Sequence, residues 1–238
     1  MLRENFTGYR LHRSISILLG FMMMLIPVFF DQNAIFYLTP FGSLFLFIYV
    51  FKATGKFSIS FLIFLAATLL SEYLFLTDYE KNITLTCLAS IIGYAALLFI
   101  MKPILKKRVT AFSKHNLVEL IVGFITLSFV LLYIVYLVMP FIPETSLFLL
   151  TVVVFGITMS VCFIIPNYNL HPDNVGLIMI GGSYIAGTVF GFIYYFLYNE
   201  IPMLIMATFM MVFMKVTLAT YITRFKRIEK DSTYQEYI

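Results

Sequence analysis

Ser58-Ile59-Ser60-Phe61-Leu62-Ile63-Phe64-Leu65-Ala66-Ala67-Thr68-Leu69-Leu70-Ser71-Glu72-Tyr73-Leu74-Phe75-Leu76 runs for nineteen residues with a single charge. A stretch this long and this apolar meets the ~20 residues an α-helix needs to cross the hydrocarbon of a bilayer. Seven stretches of the same kind surround it, at about 14–30, 35–51, 84–101, 117–139, 146–165, 175–197 and 202–223. Tilt and boundary error absorb the spread in their lengths. Mean hydropathy is +0.97 and only 12% of residues are charged, a composition that a water-soluble helical core does not require. The expectation is an all-α fold: a polytopic membrane helical bundle of about eight transmembrane helices. The intervals between the stretches are too short for a second folded unit, so residues 1–238 read as a single integral membrane domain, with a short basic segment 1–13 and a short tail 224–238.

The cations give this bundle an orientation. Arg3, Arg10, Arg13, Lys52, Lys56, Lys102, Lys106, Lys107, Arg108, Lys114, Arg224, Lys226, Arg227 and Lys230 all fall on one side of the expected membrane, and Lys81 alone falls in a loop on the other. Lys and Arg concentrate in cytoplasmic loops, so both termini are expected in the cytoplasm of a bacterial inner membrane protein. Asp31, Asp78, Glu80, Glu144 and Glu200 then lie on the opposite side. The run from Lys102 to Lys114 has the charge to attract anionic headgroups; as a topology signal it needs no nucleic-acid partner, and none is expected. The first apolar stretch is long, follows a basic N-terminus and lacks a small-residue cleavage site, so it reads as a permanent helix rather than a signal peptide.

Polar residues inside the spans are where function is sought, because an ionisable side chain at the bilayer centre costs about 2.5–3.5 kcal/mol on insertion scales. Glu72 in the third stretch and Lys215 in the eighth stand out. Thr68 lies one helical turn before Glu72 on the same face, and Met211 and Ala219 flank Lys215 on its face. Either charge should face the bundle interior, as a cavity-lining group or as half of a mutual salt bridge. By position, Glu72 falls in the outer third of the membrane and Lys215 nearer the middle or inner half, which leaves open whether they meet. Glu119 lies near the cytoplasmic edge.

Two hydroxyl-bearing stripes accompany these charges. In the seventh stretch Ser183, Gly187 and Gly191 recur every four residues, a spacing that lets a neighbouring helix approach closely, and Tyr184, Thr188 and Tyr195 overlap that face. Their hydroxyls could bond a lipid headgroup, or the stripe could serve packing alone. Thr86, Ser90 and Tyr94 recur at the same spacing in the fourth stretch. Cys87 and Cys162 lie inside spans and read as small packing residues. His171 and Asp173, in a Pro- and Asn-rich loop, read as turn chemistry rather than metal ligands. No nucleotide-binding glycine loop, HExxH or GxSxG pattern occurs, so no cofactor and no metal are expected.

Three local patterns resemble the YhhN family of membrane proteins, which includes the lysoplasmalogenases. Phe36-Tyr37-Leu38-Thr39-Pro40-Phe41-Gly42-Ser43-Leu44 is similar to that family's aromatic-x-Thr-Lys-Pro-Leu opening of the second helix, without the Lys. Thr68 to Leu76 resembles its Gly-Asp-Leu-Leu-Leu stretch, with Glu72 at the acidic position. Gly181-Gly182-Ser183-Tyr184-Ile185-Ala186 and Thr217-Leu218-Ala219-Thr220-Tyr221 resemble parts of its last two helices. The resemblance implies an eight-helix fold, a lysophospholipid as membrane-lipid partner, and hydrolysis of a vinyl ether that releases a fatty aldehyde. That reaction starts with protonation of carbon by an acid and ends with water adding to the resulting cation. Burial in hydrocarbon moves a carboxyl group toward its protonated form, and Glu72 is the candidate general acid. Thr68, Tyr184, Thr188, Tyr195 and Lys215 are the candidate substrate contacts. The family carries Ser-Asp in its seventh helix, whereas this chain has no Asp or Glu between Asn174 and Asn199. A second carboxylate is therefore missing, and a catalytically inactive, lipid-binding or assembly role is the alternative expectation.

Overall fold

The computed structural model describes residues 5–29, 35–105, 114–168 and 174–230. Among them there are seven α-helices and no strand: α1 (Asn5–Phe29), α2 (Ile35–Thr54), α3 (Ile59–Leu105), α4 (Lys114–Val138), α5 (Thr145–Tyr168), α6 (Asn174–Phe192) and α7 (Ile201–Lys230). A 3₁₀ turn, Met139–Phe141, follows α4, and a π turn, Ile193–Leu197, extends α6. Six helices are long and apolar enough to cross a membrane, and α1 carries a shorter apolar segment, Leu11–Ile26. Helices suit this solvent because they satisfy every backbone N–H and C=O internally, where hydrocarbon offers no partner. Threonine hydroxyls follow the same rule: Thr54, Thr68, Thr151 and Thr158 each donate to the carbonyl four residues back.

Helix α3 has 47 residues, about 70 Å if straight, more than twice the ~30 Å of hydrocarbon. It is not straight. Its backbone leaves helical geometry at Asp78 (φ −165°, ψ 88°), and beyond that residue the chain doubles back. The hydroxyls of Ser71 and Ser90 meet at 2.7 Å, and a Cβ on Gly93 would lie 3.6 Å from that of Ala67. Residues 59–77 and 79–105 are therefore antiparallel arms of a helical hairpin. Asp78 makes this single-residue joint workable, because its Oδ1 accepts the Lys81 N–H at 3.2 Å as an N-cap for the second arm. Sequence reading expects a loop of several residues there; one capping carboxylate replaces it.

The helix ends also depart from the apolar boundaries. Helix α1 begins at Asn5, inside the segment 1–13 expected to precede the membrane, and α7 runs to Lys230, past the apolar limit near 223. Hydropathy marks where a helix enters lipid, not where its hydrogen bonding starts, and Arg, Leu, Lys and Glu in these extensions favour helix. Helix α2 stops where Gly55 takes a positive φ of 65° and donates its N–H to Phe51.

Helix α6 packs most extensively on α7, and α1 on α2. The pattern of close approach matches the small-residue stripe: a Cβ added to Gly187 would lie 3.1 Å from Met211 Cγ. The bundle is tightly filled in the half containing the second half of α2, the C-terminal ends of α5 and α7, the end of α3 and the start of α6. Leu97, Met101, Met159, Leu177, Ile180, Met214 and Leu218 are completely buried there. The other half contains the α3 hairpin joint and is built differently.

Candidate functional site

In that second half the helices separate around a cavity of about 210 Å³. The first arm of α3 brings Thr68, Ser71 and Glu72 to its wall, and the second arm brings Thr86, Ser90 and Tyr94. Helix α6 supplies Tyr184 and Thr188, α7 supplies Thr208 and Lys215, α5 supplies Thr151, and α2 supplies Thr39 and Ser43. Aliphatic and aromatic side chains make up the rest of the lining, so the space is apolar with a few placed polar groups, the usual make-up of a small-molecule site.

Glu72 and Lys215 meet on its wall. Lys215 Nζ lies 2.7 Å from each Glu72 carboxylate oxygen. The Lys215 side chain is 5% exposed, against 24% for Glu72, whose remaining accessible surface belongs to a cavity-lining residue. The difference in expected depth is closed by the long lysine side chain. Each charge thus compensates the other, and the pair ties the first arm of α3 to α7. Among the described residues that line the cavity, Glu72 is the one carboxylate and Lys215 the one cation.

A second polar line runs beside the pair. Tyr184 is within electrostatic range of Glu72 and packs against Tyr94, with ring centroids 5.7 Å apart, and both rings contact Phe155. The Ser71–Ser90 bond lies on the same wall. Thr86 is different from the other buried threonines: its Oγ1 has no hydrogen-bond partner among the described residues, although the residue is 5% exposed and lines the cavity.

Five of the six candidate residues are brought together: Thr68, Glu72, Tyr184, Thr188 and Lys215 all line the one cavity. Tyr195 is set apart from them. Its hydroxyl accepts the Tyr79 N–H at 3.0 Å just past the hairpin joint, and its ring packs on Phe75 and Tyr79 at 5.2 and 5.9 Å. The Thr86, Ser90 and Tyr94 stripe all lies on the wall. Thr39, Ser43 and Thr151 also reach it and are not among the candidates; the four-residue spacing of Thr39 and Ser43 is the signal that marks them. Cys87 and Cys162 are free and buried. The loop with His171 and Asp173 lies outside the described residues.

Fold and site together define a class: an α-helical membrane bundle with an interior, mostly apolar cavity lined by one ion pair. Comparison with known proteins takes this no further, since no family model, no curated protein and no solved structure matches the chain.

Proposed function

We propose that the chain is a YhhN-like bacterial inner membrane protein that crosses the bilayer eight times, with both termini in the cytoplasm, and binds a single-chain phospholipid in its cavity. The eight crossings are α1, α2, the two arms of α3, and α4 to α7. The basic residues support the orientation, which puts the cavity in the periplasmic half of the membrane. The observation that carries the reading is the Glu72–Lys215 pair on a mostly apolar cavity wall. A lysophospholipid headgroup carries a phosphate that Lys215 would attract and, in ethanolamine lipids, an ammonium that Glu72 would attract. Its single chain matches the apolar remainder of the lining.

Binding without hydrolysis is the version the geometry favours. Lys215 donates to Glu72 Oε2 and its ammonium lies 2.7 Å from Oε1, so the carboxylate is held as an ion-pair partner, whereas vinyl ether cleavage needs an acid that donates a proton to carbon. Among the described residues, no second carboxylate lines the cavity to steady the cation or activate water. The hydrolase reading keeps one favourable observation, that Glu72 faces the cavity among the hydroxyls of Thr68, Ser71 and Tyr184. Purified protein mixed with a lysoplasmalogen separates the two. Retention of the lipid with no fatty aldehyde released is expected. Aldehyde release by the wild type that disappears in a folded Glu72→Gln variant would establish the hydrolase instead.

A further inference from the structure

A second cavity, distinct from the first, lies on the outside of the bundle where α1, α6 and α7 adjoin. Its volume is about 710 Å³, within the ~300–1,000 Å³ typical of sites that enclose a small molecule. Its walls are apolar and face the bilayer: Phe21 is 54% exposed and Met179 46%. Arg13 from α1 and Arg224 from α7 also line it, at the end expected to face the cytoplasm.

The helices explain how the two arginines share one end. A Cβ on Gly20 would fall 2.4 Å from Val212 Cγ1, so α1 and α7 touch at that level. Arg13 lies seven residues before Gly20, and Arg224 twelve after Val212. At 1.5 Å per residue these are about 10 and 18 Å along antiparallel helices, in the same direction, which leaves the two Cα atoms offset by only about 8 Å along the axis. Two arginine side chains span such an offset. Arg13 Nε is buried with no hydrogen-bond partner among the described residues, a donor held ready in a low-dielectric setting. The first turn of α6 contributes Val175 and Gly176 to the same end, and its dipole adds positive potential there.

We propose that this groove binds an anionic phospholipid, with the phosphate held between Arg13 and Arg224 and an acyl chain lying along the apolar wall toward Gly20. Arginine suits the role because its fork matches phosphate oxygens bidentately. The site is separate from the Glu72–Lys215 cavity and does not depend on what that cavity holds.

The test is native mass spectrometry of the full-length protein released from nanodiscs of equal phosphatidylglycerol and phosphatidylcholine. Phosphatidylglycerol adducts are expected to survive preferentially. The Arg13→Gln/Arg224→Gln variant should lose at least tenfold of that preference, and Met179→Trp, which fills the wall while keeping both charges, should weaken it several-fold. Lys56→Gln, which removes a cation outside the groove, should leave it unchanged. Circular dichroism in phosphatidylcholine nanodiscs selects the variants that retain the helical fold. Equal retention of both lipids by the wild type would overturn the proposal. So would a preference that survives the double arginine variant, or one that Lys56→Gln reduces as much, since the latter reports a general surface potential.

Discussion

The two halves of the bundle are made from the same helices and are built on opposite principles. Along the second arm of α3, Thr86, Ser90 and Tyr94 give way to Leu97 and Met101; along α5, Thr151 and Phe155 give way to Met159 and Cys162. Helix α7 changes at Lys215, from Thr208 and Met211 to Leu218 and Ala219, and α6, running the other way, changes between Ile180 and Tyr184. One half is sealed by interlocking aliphatic and sulfur-containing side chains. In the other half, hydroxyls and an ion pair border a space. Hydrophobicity alone holds neither half together, because lipid is as apolar as leucine and burying leucine among helices gains little from it. Packing shape and polar pairing decide what each half becomes.

Breaking the ion pair should have the largest effect on this contrast. Lys215→Met alone leaves a carboxylate with no compensating charge and is expected to destabilise the fold by about 3–5 kcal/mol, while Glu72→Gln/Lys215→Met should restore most of that loss. Unfolding in mixed micelles gives the four corners of the cycle, and a double variant as unstable as Lys215→Met would contradict the pairing. In the sealed half, Met214→Ala is expected to lose about 2–5 kcal/mol because close packing leaves a void. Its counterpart in the open half, Thr86→Val, removes a buried hydroxyl that has no partner among the described residues and should be neutral or stabilising within about 1 kcal/mol. Asp78→Ala, which removes the cap at the hairpin joint, should cost about 1 kcal/mol. Ile125→Ala, on a residue of α4 that is 61% exposed, should stay within about 0.5 kcal/mol.

Helix α4 also shows how much of the fold was legible beforehand. Its span has one of the highest hydropathies, 2.6, and the smallest buried share, 17%, whereas the α3 span reaches 44% burial at a hydropathy of 2.2. Hydropathy therefore locates membrane segments but says nothing about which of them surround the centre. The polar residues did that better: Thr68, Glu72, Tyr184, Thr188 and Lys215 were all recognisable from residue type and depth, and all reach the cavity. Tyr195 shared the same stripe by spacing, but it lies in the π turn, where the helical periodicity behind the stripe no longer applies. The contact between Glu72 and Lys215 could not be read from the sequence, because it depends on how α3 and α7 slide past each other and on the reach of one lysine. The α3 joint was legible in position, since the polar run from Thr77 to Asn82 separates two apolar stretches, but not in form, because helix resumes directly after a single capping Asp where a loop of several residues is expected.

The most direct test of the central cavity is retention of lysophosphatidylethanolamine by the purified protein through detergent exchange, comparing wild type with Glu72→Gln/Lys215→Met. The double variant keeps the pair's shape without its charges, so stability is largely preserved while headgroup recognition is removed. Stoichiometric retention by the wild type, with affinity at least tenfold weaker in the variant, is the expected result. Equal retention by both would contradict a headgroup site at Glu72 and Lys215 and leave the pair as a brace between α3 and α7.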